Sequence, residues 1–130
     1  MMSFRALIVD DSSVMRKIVC RSLAEAGLEL AEVVEAADGL EALDKFDPEH
    51  IDLVLTDCRM PHMDGIDFVR ELREMEDGKA HTPVVMVTIE DPDTAQAAAA
   101  LTGADAYVIK PFTTEDIKDA LDLALGSAKR

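Results

Sequence analysis

The chain has 130 residues, of which 27 are acidic and 13 basic, for a formal charge of −14. That length fits a single compact domain, and an apolar share of 48 % supplies a sizeable core, which argues against disorder. The acidic excess excludes nucleic acid and anionic membrane as expected partners, because their phosphates would be repelled.

Short apolar runs alternate with longer segments of helical period. Ala6-Leu7-Ile8-Val9 predicts a first strand, broken sharply at Asp10-Asp11. A helix is predicted over 14–26, where Met15, Ile18, Val19, Leu23 and Ala26 line one stripe; Ser12 caps its start and Gly27 ends it. Ala31 to Ala36 reads as a second strand, and Asp38 with Glu41 resembles a capping box opening a helix through Phe46. Ile51 to Leu55 is a third strand, ending at Thr56-Asp57. A loop over 58–63 follows, and Asp64 then caps a helix carrying Phe68, Val69, Leu72 and Met75. Pro83 to Thr88 is a fourth strand, apolar on both faces as a buried central strand is. Asp91-Pro92 opens an alanine-rich helix that runs to Gly103. Ala106 to Ile109 is the fifth strand. Thr113 or Thr114 caps the last helix, which is expected to end at Gly126 with a short tail and no output domain beyond it. No run approaches the roughly 18 apolar residues of a membrane span. No secretory leader opens the chain, and Cys20 and Cys58 make neither a disulfide framework nor a metal pair, so a cytoplasmic protein is expected.

Five βα units in series predict an α/β protein with a five-stranded parallel sheet and helices on both faces. In such sheets ligands collect at the carboxyl ends of the strands. The residues there are Asp10 and Asp11 after the first strand, Asp57 after the third, Thr88 at the end of the fourth and Lys110-Pro111 after the fifth. Singly, each has an ordinary reading: an Asp-Asp pair is a solvated turn, and a lysine before proline is surface. Together they place three carboxylates, a hydroxyl and an ammonium on one sheet edge. Packed carboxylates repel one another, and burial raises their pKa, so the cluster calls for a cation. Oxygen-only donors favour a hard ion, Mg²⁺ over Zn²⁺. Lys110 and Thr88 then suit phosphoryl oxygens, and Asp57 suits a carboxylate nucleophile.

Asp10-Asp11, Asp57, the stretch Met60-Pro61-His62-Met63-Asp64-Gly65, Thr88, Tyr107 and Lys110-Pro111-Phe112 resemble the receiver domains of two-component response regulators. The resemblance runs roughly from Arg5 to Leu125, and Ser12 to Arg16 with no output domain is similar to the single-domain chemotaxis type. It implies the flavodoxin-like receiver fold with strand order 2-1-3-4-5. It implies that Asp57 accepts a phosphoryl group from a phosphohistidine on a sensor histidine kinase. Asp11, Asp57 and the backbone carbonyl of Arg59 would hold Mg²⁺, or Mn²⁺ as a substitute, with Asp10 acting mainly through a water. Lys110 would pair with Asp57 and then with the phosphoryl group, Thr88 would swing towards it, and Tyr107 would rotate inward. The Lys110–Pro111 bond is expected to be cis. The readout face would be the fourth helix, fifth strand and fifth helix, meeting a downstream protein such as a flagellar motor switch. A phosphatase is a further expected partner, and a monomer is the expected state.

Three features depart from the common family pattern. Ile89 follows the switch threonine where a small residue is usual, and is expected to slow phosphodonor entry. Arg59 and Glu90 stand two residues past Asp57 and Thr88; they either pair over the site and hinder water or are two solvated side chains. The alanines of the fourth helix are either plain helix propensity or a flat docking surface. Arg16, Lys17 and Arg21 on the first helix are either ordinary exposed side chains or an attraction for an acidic kinase surface. His50, His62 and His81 show no metal spacing, and Cys58 is expected to turn away from the site.

A flavodoxin-like electron carrier fits poorly, since Asp10-Asp11 would repel its phosphate. A carboxylate-nucleophile phosphatase fits poorly too, since Arg59 stands where its general acid belongs. The chain is therefore expected to take part in its own phosphorylation and dephosphorylation rather than to act as an enzyme on others. A phosphorylation-independent adaptor, a phosphate sink and a kinase regulator remain open as alternatives.

Overall fold

The computed structural model describes residues 3–76 and 81–129. Five strands and five helices alternate: β1 Phe4–Val9, α1 Ser13–Glu25, β2 Leu30–Ala36, α2 Gly39–Lys45, β3 Leu53–Thr56, α3 Gly65–Glu76, β4 Val84–Thr88, α4 Pro92–Thr102, β5 Ala106–Ile109 and α5 Thr114–Lys129. The strands form one parallel sheet in the order β2-β1-β3-β4-β5. Strand order reverses beside β1, so the carboxyl ends of β1 and β3 border a crevice that crossover connections leave open.

Helix starts are set by short side chains that accept backbone N–H groups left over in the first turn. Ser12 Oγ accepts from Met15 at 3.2 Å, Asp38 Oδ1 from Glu41 at 2.8 Å, Asp64 Oδ1 from Asp67 at 2.9 Å and Asp91 Oδ1 from Thr94 at 2.9 Å. At α5 the cap is Thr113, whose Oγ1 accepts from Asp116 N–H at 3.1 Å while Asp116 Oδ2 accepts from Thr113 N–H at 3.0 Å. Gly27 and Gly103, with φ of 95° and 81°, turn the chain in a left-handed conformation that a side chain would disfavour.

Alternation along the strands divides the core. Ala6 and Ile8 of β1 face Val19, Leu23, Ile117 and Ala120 of α1 and α5. Leu7 and Val9 face Ala42, Phe68, Leu72 and Ala98 of α2, α3 and α4. Every residue of β3 and β4 is buried, as expected for strands covered on both faces.

Element ends differ from the sequence reading in places. β1 begins at Phe4 rather than Ala6, because Phe4 pairs with Leu30 and Arg5 with Glu32 across the edge. β3 spans Leu53–Thr56, since Ile51 N–H turns back to the carbonyl of Asp47 at 2.8 Å. The last helix passes through Gly126 and continues to Lys129. One glycine costs a helix about 1 kcal/mol against alanine and does not oblige it to stop. Among the described residues no helix is long and apolar enough to cross a membrane.

Candidate functional site

At the carboxyl edge of the sheet, Asp10 follows β1, Asp57 follows β3 and Lys110 follows β5. Asp10 and Asp57 are buried and Asp11 is exposed; one carboxylate oxygen from each lies within 4.8 Å of the others. Lys110 reaches between them, its Nζ 2.9 Å from Asp10 Oδ2 and 3.3 Å from Asp57 Oδ2. Asp57 Oδ1 accepts the N–H of Cys58 at 2.7 Å and, more loosely, that of Arg59 at 3.5 Å. The carboxylate is therefore oriented by backbone on one side and by an ammonium on the other.

Burial pushes the Asp57 carboxyl above its ordinary range; the Lys110 charge opposes this and the Asp10 charge adds to it. Burial alone would lower the Lys110 ammonium, but its hydrogen bond to Asp10 and the charges of Asp57 and Asp10 hold it above its usual value. Three carboxylates against one ammonium leave a net negative pocket. Its donors are all oxygen and two of the three are buried, a set that fits a small hard divalent cation.

Thr88 is fully buried at the end of β4, and its Oγ1 accepts the N–H of Glu90 at 3.1 Å. Arg59 Nε pairs with Glu90 Oε1 at 2.7 Å, joining the loops after β3 and β4. Of the two readings of that pair, the structure takes the ion pair, with Arg59 largely exposed. Ile89 is 75 % exposed, so it can hinder only a donor arriving from solvent. Tyr107 is half-buried on β5 against the α2–α4 side of the core, apart from the charged groups. The Lys110–Pro111 peptide is cis. Cys58 lies in the core with Sγ 3.6 Å from Met86 Sδ, and burial pushes its thiol up despite a hydrogen bond with Thr88.

Two groups have roles the residue pattern did not disclose. Arg16, read as an exposed or kinase-facing cation, is a strut: its Nη1 donates to the Asp10 carbonyl at 2.7 Å and its Nε to Glu35 at 2.7 Å. With Ser12 N–H donating to Asp10 Oδ1 at 2.9 Å, it fixes the acidic turn. Gly65 opens α3 with its N–H on the Cys58 carbonyl at 2.9 Å, against the chain that carries Asp57. A glycine directly after a helix cap was the available signal. The three histidines pair elsewhere, His50 with Glu32 at 2.8 Å, His62 with Asp38 at 2.8 Å and His81 with Asp105 at 2.7 Å.

The protein is thus a doubly wound parallel sheet with an acidic pocket and a lysine at its carboxyl edge. A model of the response regulator receiver domain matches residues 6–122, and the chain belongs to that family. It is 41 % identical over 120 residues to the chemotaxis protein CheY-3 of Vibrio cholerae, covering 92 % of this chain and 90 % of that one. The crystal structure of Vibrio cholerae CheY4 superposes with a TM-score of 0.79 at 34 % identity, covering 95 % and 99 % of the two chains. The receiver domain of the sensor histidine kinase PA1611 from Pseudomonas aeruginosa, with a magnesium ion coordinated in its active site cleft, gives a TM-score of 0.78 at 26 % identity. The match covers 96 % of this chain and 99 % of that one.

Proposed function

We propose that this protein is a phosphorylation-activated switch in a chemotaxis pathway of the cytoplasm, with Asp57 as its phosphoacceptor. The observation that carries the reading is the Asp57 carboxylate, held between backbone N–H groups and the Lys110 ammonium beside Asp10 and Asp11. An Asp57 oxygen attacks the phosphorus of a phosphohistidine on a sensor histidine kinase; the P–O bond forms as the P–N bond breaks, and the imidazole leaves. Asp10, Asp11, Asp57 and the Arg59 backbone carbonyl would hold Mg²⁺, or Mn²⁺ in its place. The bound cation supplies charge neutralisation for the incoming phosphoryl oxygens. Lys110 keeps its proton and shifts its hydrogen bonds from carboxylate to phosphoryl oxygen. Thr88 exchanges its contact with Glu90 N–H for donation to the same group, and Tyr107 moves inward. Asp57 is consumed and regenerated within this chain, so the protein is a substrate of the kinase and not itself an enzyme acting on others. The altered face of α4, β5 and α5 is read by a downstream protein such as a flagellar motor switch, and a phosphatase shortens the signal.

Intact mass after incubation with a small phosphodonor and Mg²⁺ tests the reading. One added phosphoryl group is expected, absent without the metal and absent in Asp57→Asn. Addition to Asp57→Asn would overturn the assignment of the acceptor.

We read the Arg59–Glu90 pair, which joins the loops after β3 and β4, as a lid that hinders water from reaching a phosphorylated Asp57. Arg59→Ala is therefore expected to shorten the phosphoryl half-life severalfold while leaving the mass increment unchanged. An unaltered half-life would show that the pair is no lid.

A further inference from the structure

The three carboxylates of the acidic pocket are not held alike. Asp57 has the Cys58 N–H on Oδ1 at 2.7 Å and Lys110 on Oδ2 at 3.3 Å. Asp10 has the Ser12 N–H on Oδ1 at 2.9 Å and Lys110 on Oδ2 at 2.9 Å. Asp11 is exposed, and its side chain takes no hydrogen bond or ion pair among the described residues. One of its oxygens nevertheless lies within 4.8 Å of an oxygen from each of the other two. Its position is therefore set by the backbone that carries it.

That backbone is the peptide between Asp10 and Asp11. The N–H of Asp10 belongs to the sheet and donates to the Ala36 carbonyl at 3.1 Å. β2 ends at Ala36, and no backbone N–H reaches the Asp10 carbonyl among the described residues. Its donor is a side chain, Nη1 of Arg16 at 2.7 Å. A peptide unit moves as one rigid plate, so any tilt of the Asp10 carbonyl swings the Cα of Asp11 with it. Arg16 itself is gripped at its other end, Nε donating to Glu35 Oε1 at 2.7 Å, and its side chain is only 16 % exposed. The strand that carries Glu35 is tied in turn to α2, because Lys45 Nζ donates to the Glu35 carbonyl at 2.7 Å. The planar fork of a guanidinium can span two acceptors in this way, whereas an ammonium is a single point.

We propose that Arg16 is a positioning residue for the cation pocket: braced by Glu35, it fixes the Asp10–Asp11 peptide and so places the Asp11 carboxylate for Mg²⁺. This rests on the reading of Asp10, Asp11 and Asp57 as the cation pocket and adds what sets its affinity. The effect is opposite in sign to that of the guanidinium's charge. A positive charge near the pocket repels Mg²⁺, so charge alone would make the cation bind more tightly once Arg16 is removed. Positioning makes it bind more weakly.

The test titrates Mg²⁺ against the isotope-labelled full chain and measures the metal-free urea midpoint of each variant. Arg16→Met is expected to weaken Mg²⁺ by about tenfold, the scale on which groups that orient metal-binding side chains act. Arg16→Lys keeps the charge but not the two-ended grip, and is expected to weaken Mg²⁺ severalfold. Lys17 is exposed at the next position and makes no ion pair among the described residues. Lys17→Met therefore reports the loss of one positive charge alone, and is expected to leave affinity within about twofold of wild type, on the tighter side. In an Asp11→Asn background, Arg16→Met is expected to cost less than about twofold more, because its effect runs through Asp11. Wild-type affinity in Arg16→Met or Arg16→Lys would overturn the inference. So would a loss of affinity no larger than the fall in folded fraction, which would make Arg16 a support of the fold alone. A full tenfold loss in the Asp11→Asn background would overturn the route through Asp11. A wild-type chain that takes up no Mg²⁺ would overturn the cation reading of the pocket itself, whereas each of the other failures leaves that reading standing.

Discussion

Arg73→Met is expected to destabilise the protein by about 3 kcal/mol, read as a lower urea midpoint with an unchanged slope. Arg73 is the centre of a charged cluster at the amino-terminal edge of the sheet, opposite the candidate site. Its Nη1 donates to Glu76 at 3.1 and 3.2 Å and to the Thr82 carbonyl at 2.7 Å; its Nη2 donates to the Gly103 carbonyl at 2.8 Å and to Asp105 at 3.2 Å. The side chains of Glu76 and Asp105 are only 6 % and 12 % exposed. Removing the guanidinium leaves the buried Glu76 carboxylate without its counter-charge, takes from the half-buried Asp105 one partner beside His81 and the Val84 N–H, and opens two carbonyls, while a methionine of similar length restores the packing only. Glu76→Gln added to Arg73→Met is expected to recover part of the loss, since one stranded charge disappears. Wild-type stability in Arg73→Met would mean that the cluster contributes nothing. The cluster is remote from Asp57, so phosphoryl incorporation by the folded fraction of Arg73→Met is expected to persist.

Gly65→Ala is expected to have the opposite signature, losing stability and site together. A Cβ at position 65 would overlap the Asp57 carbonyl oxygen, and would stand 2.9 Å from the Asp57 carbonyl carbon and 3.1 Å from Thr56 Oγ1. Those atoms are backbone and a buried hydroxyl at the end of β3, with no free torsion to move them aside. Overpacking of this kind costs about 3 kcal/mol. What remains folded must displace the Asp57 backbone, so Mg²⁺ affinity and phosphoryl incorporation should both fall by more than the folded fraction does. A variant with a normal urea midpoint and normal incorporation would show that α3 slides away from β3 without consequence.

The contrast between these two positions shows what a sequence discloses. The helix caps at Ser12, Asp38, Asp64 and Asp91 were legible because each acts on an N–H three residues ahead, within the same few residues of chain. The core followed from period, and the acidic pocket from the rule that strand ends converge. Asp10, Asp57, Thr88 and Lys110 were therefore visible as a set before any distance was known. The Arg73 cluster was not. Its partners Glu76, Thr82, Gly103 and Asp105 follow no common spacing, and an arginine among glutamates on a helix reads as an ordinary exposed side chain. The bond of Arg16 to the Asp10 carbonyl was hidden for the same reason, because it depends on the turn between β1 and α1. Gly126 misled in the other direction: a weak helix former was read as a stop, although it lacks the left-handed turn of Gly27 and Gly103.

The ammonium of Lys110 meets Asp10 across 100 positions of sequence. Among the contacts of the site, this one closes nearly the whole chain into a loop. Contacts of such separation form late, after the strands between them have taken their places. A chain emerging from the ribosome therefore presents Asp57 well before Lys110 exists to accompany it. An unfinished copy carries Asp10 and Asp57 without the ammonium that bridges them in the finished fold. If Asp57 is the phosphoacceptor as proposed, phosphoryl uptake is expected to count the molecules in a population that have finished folding.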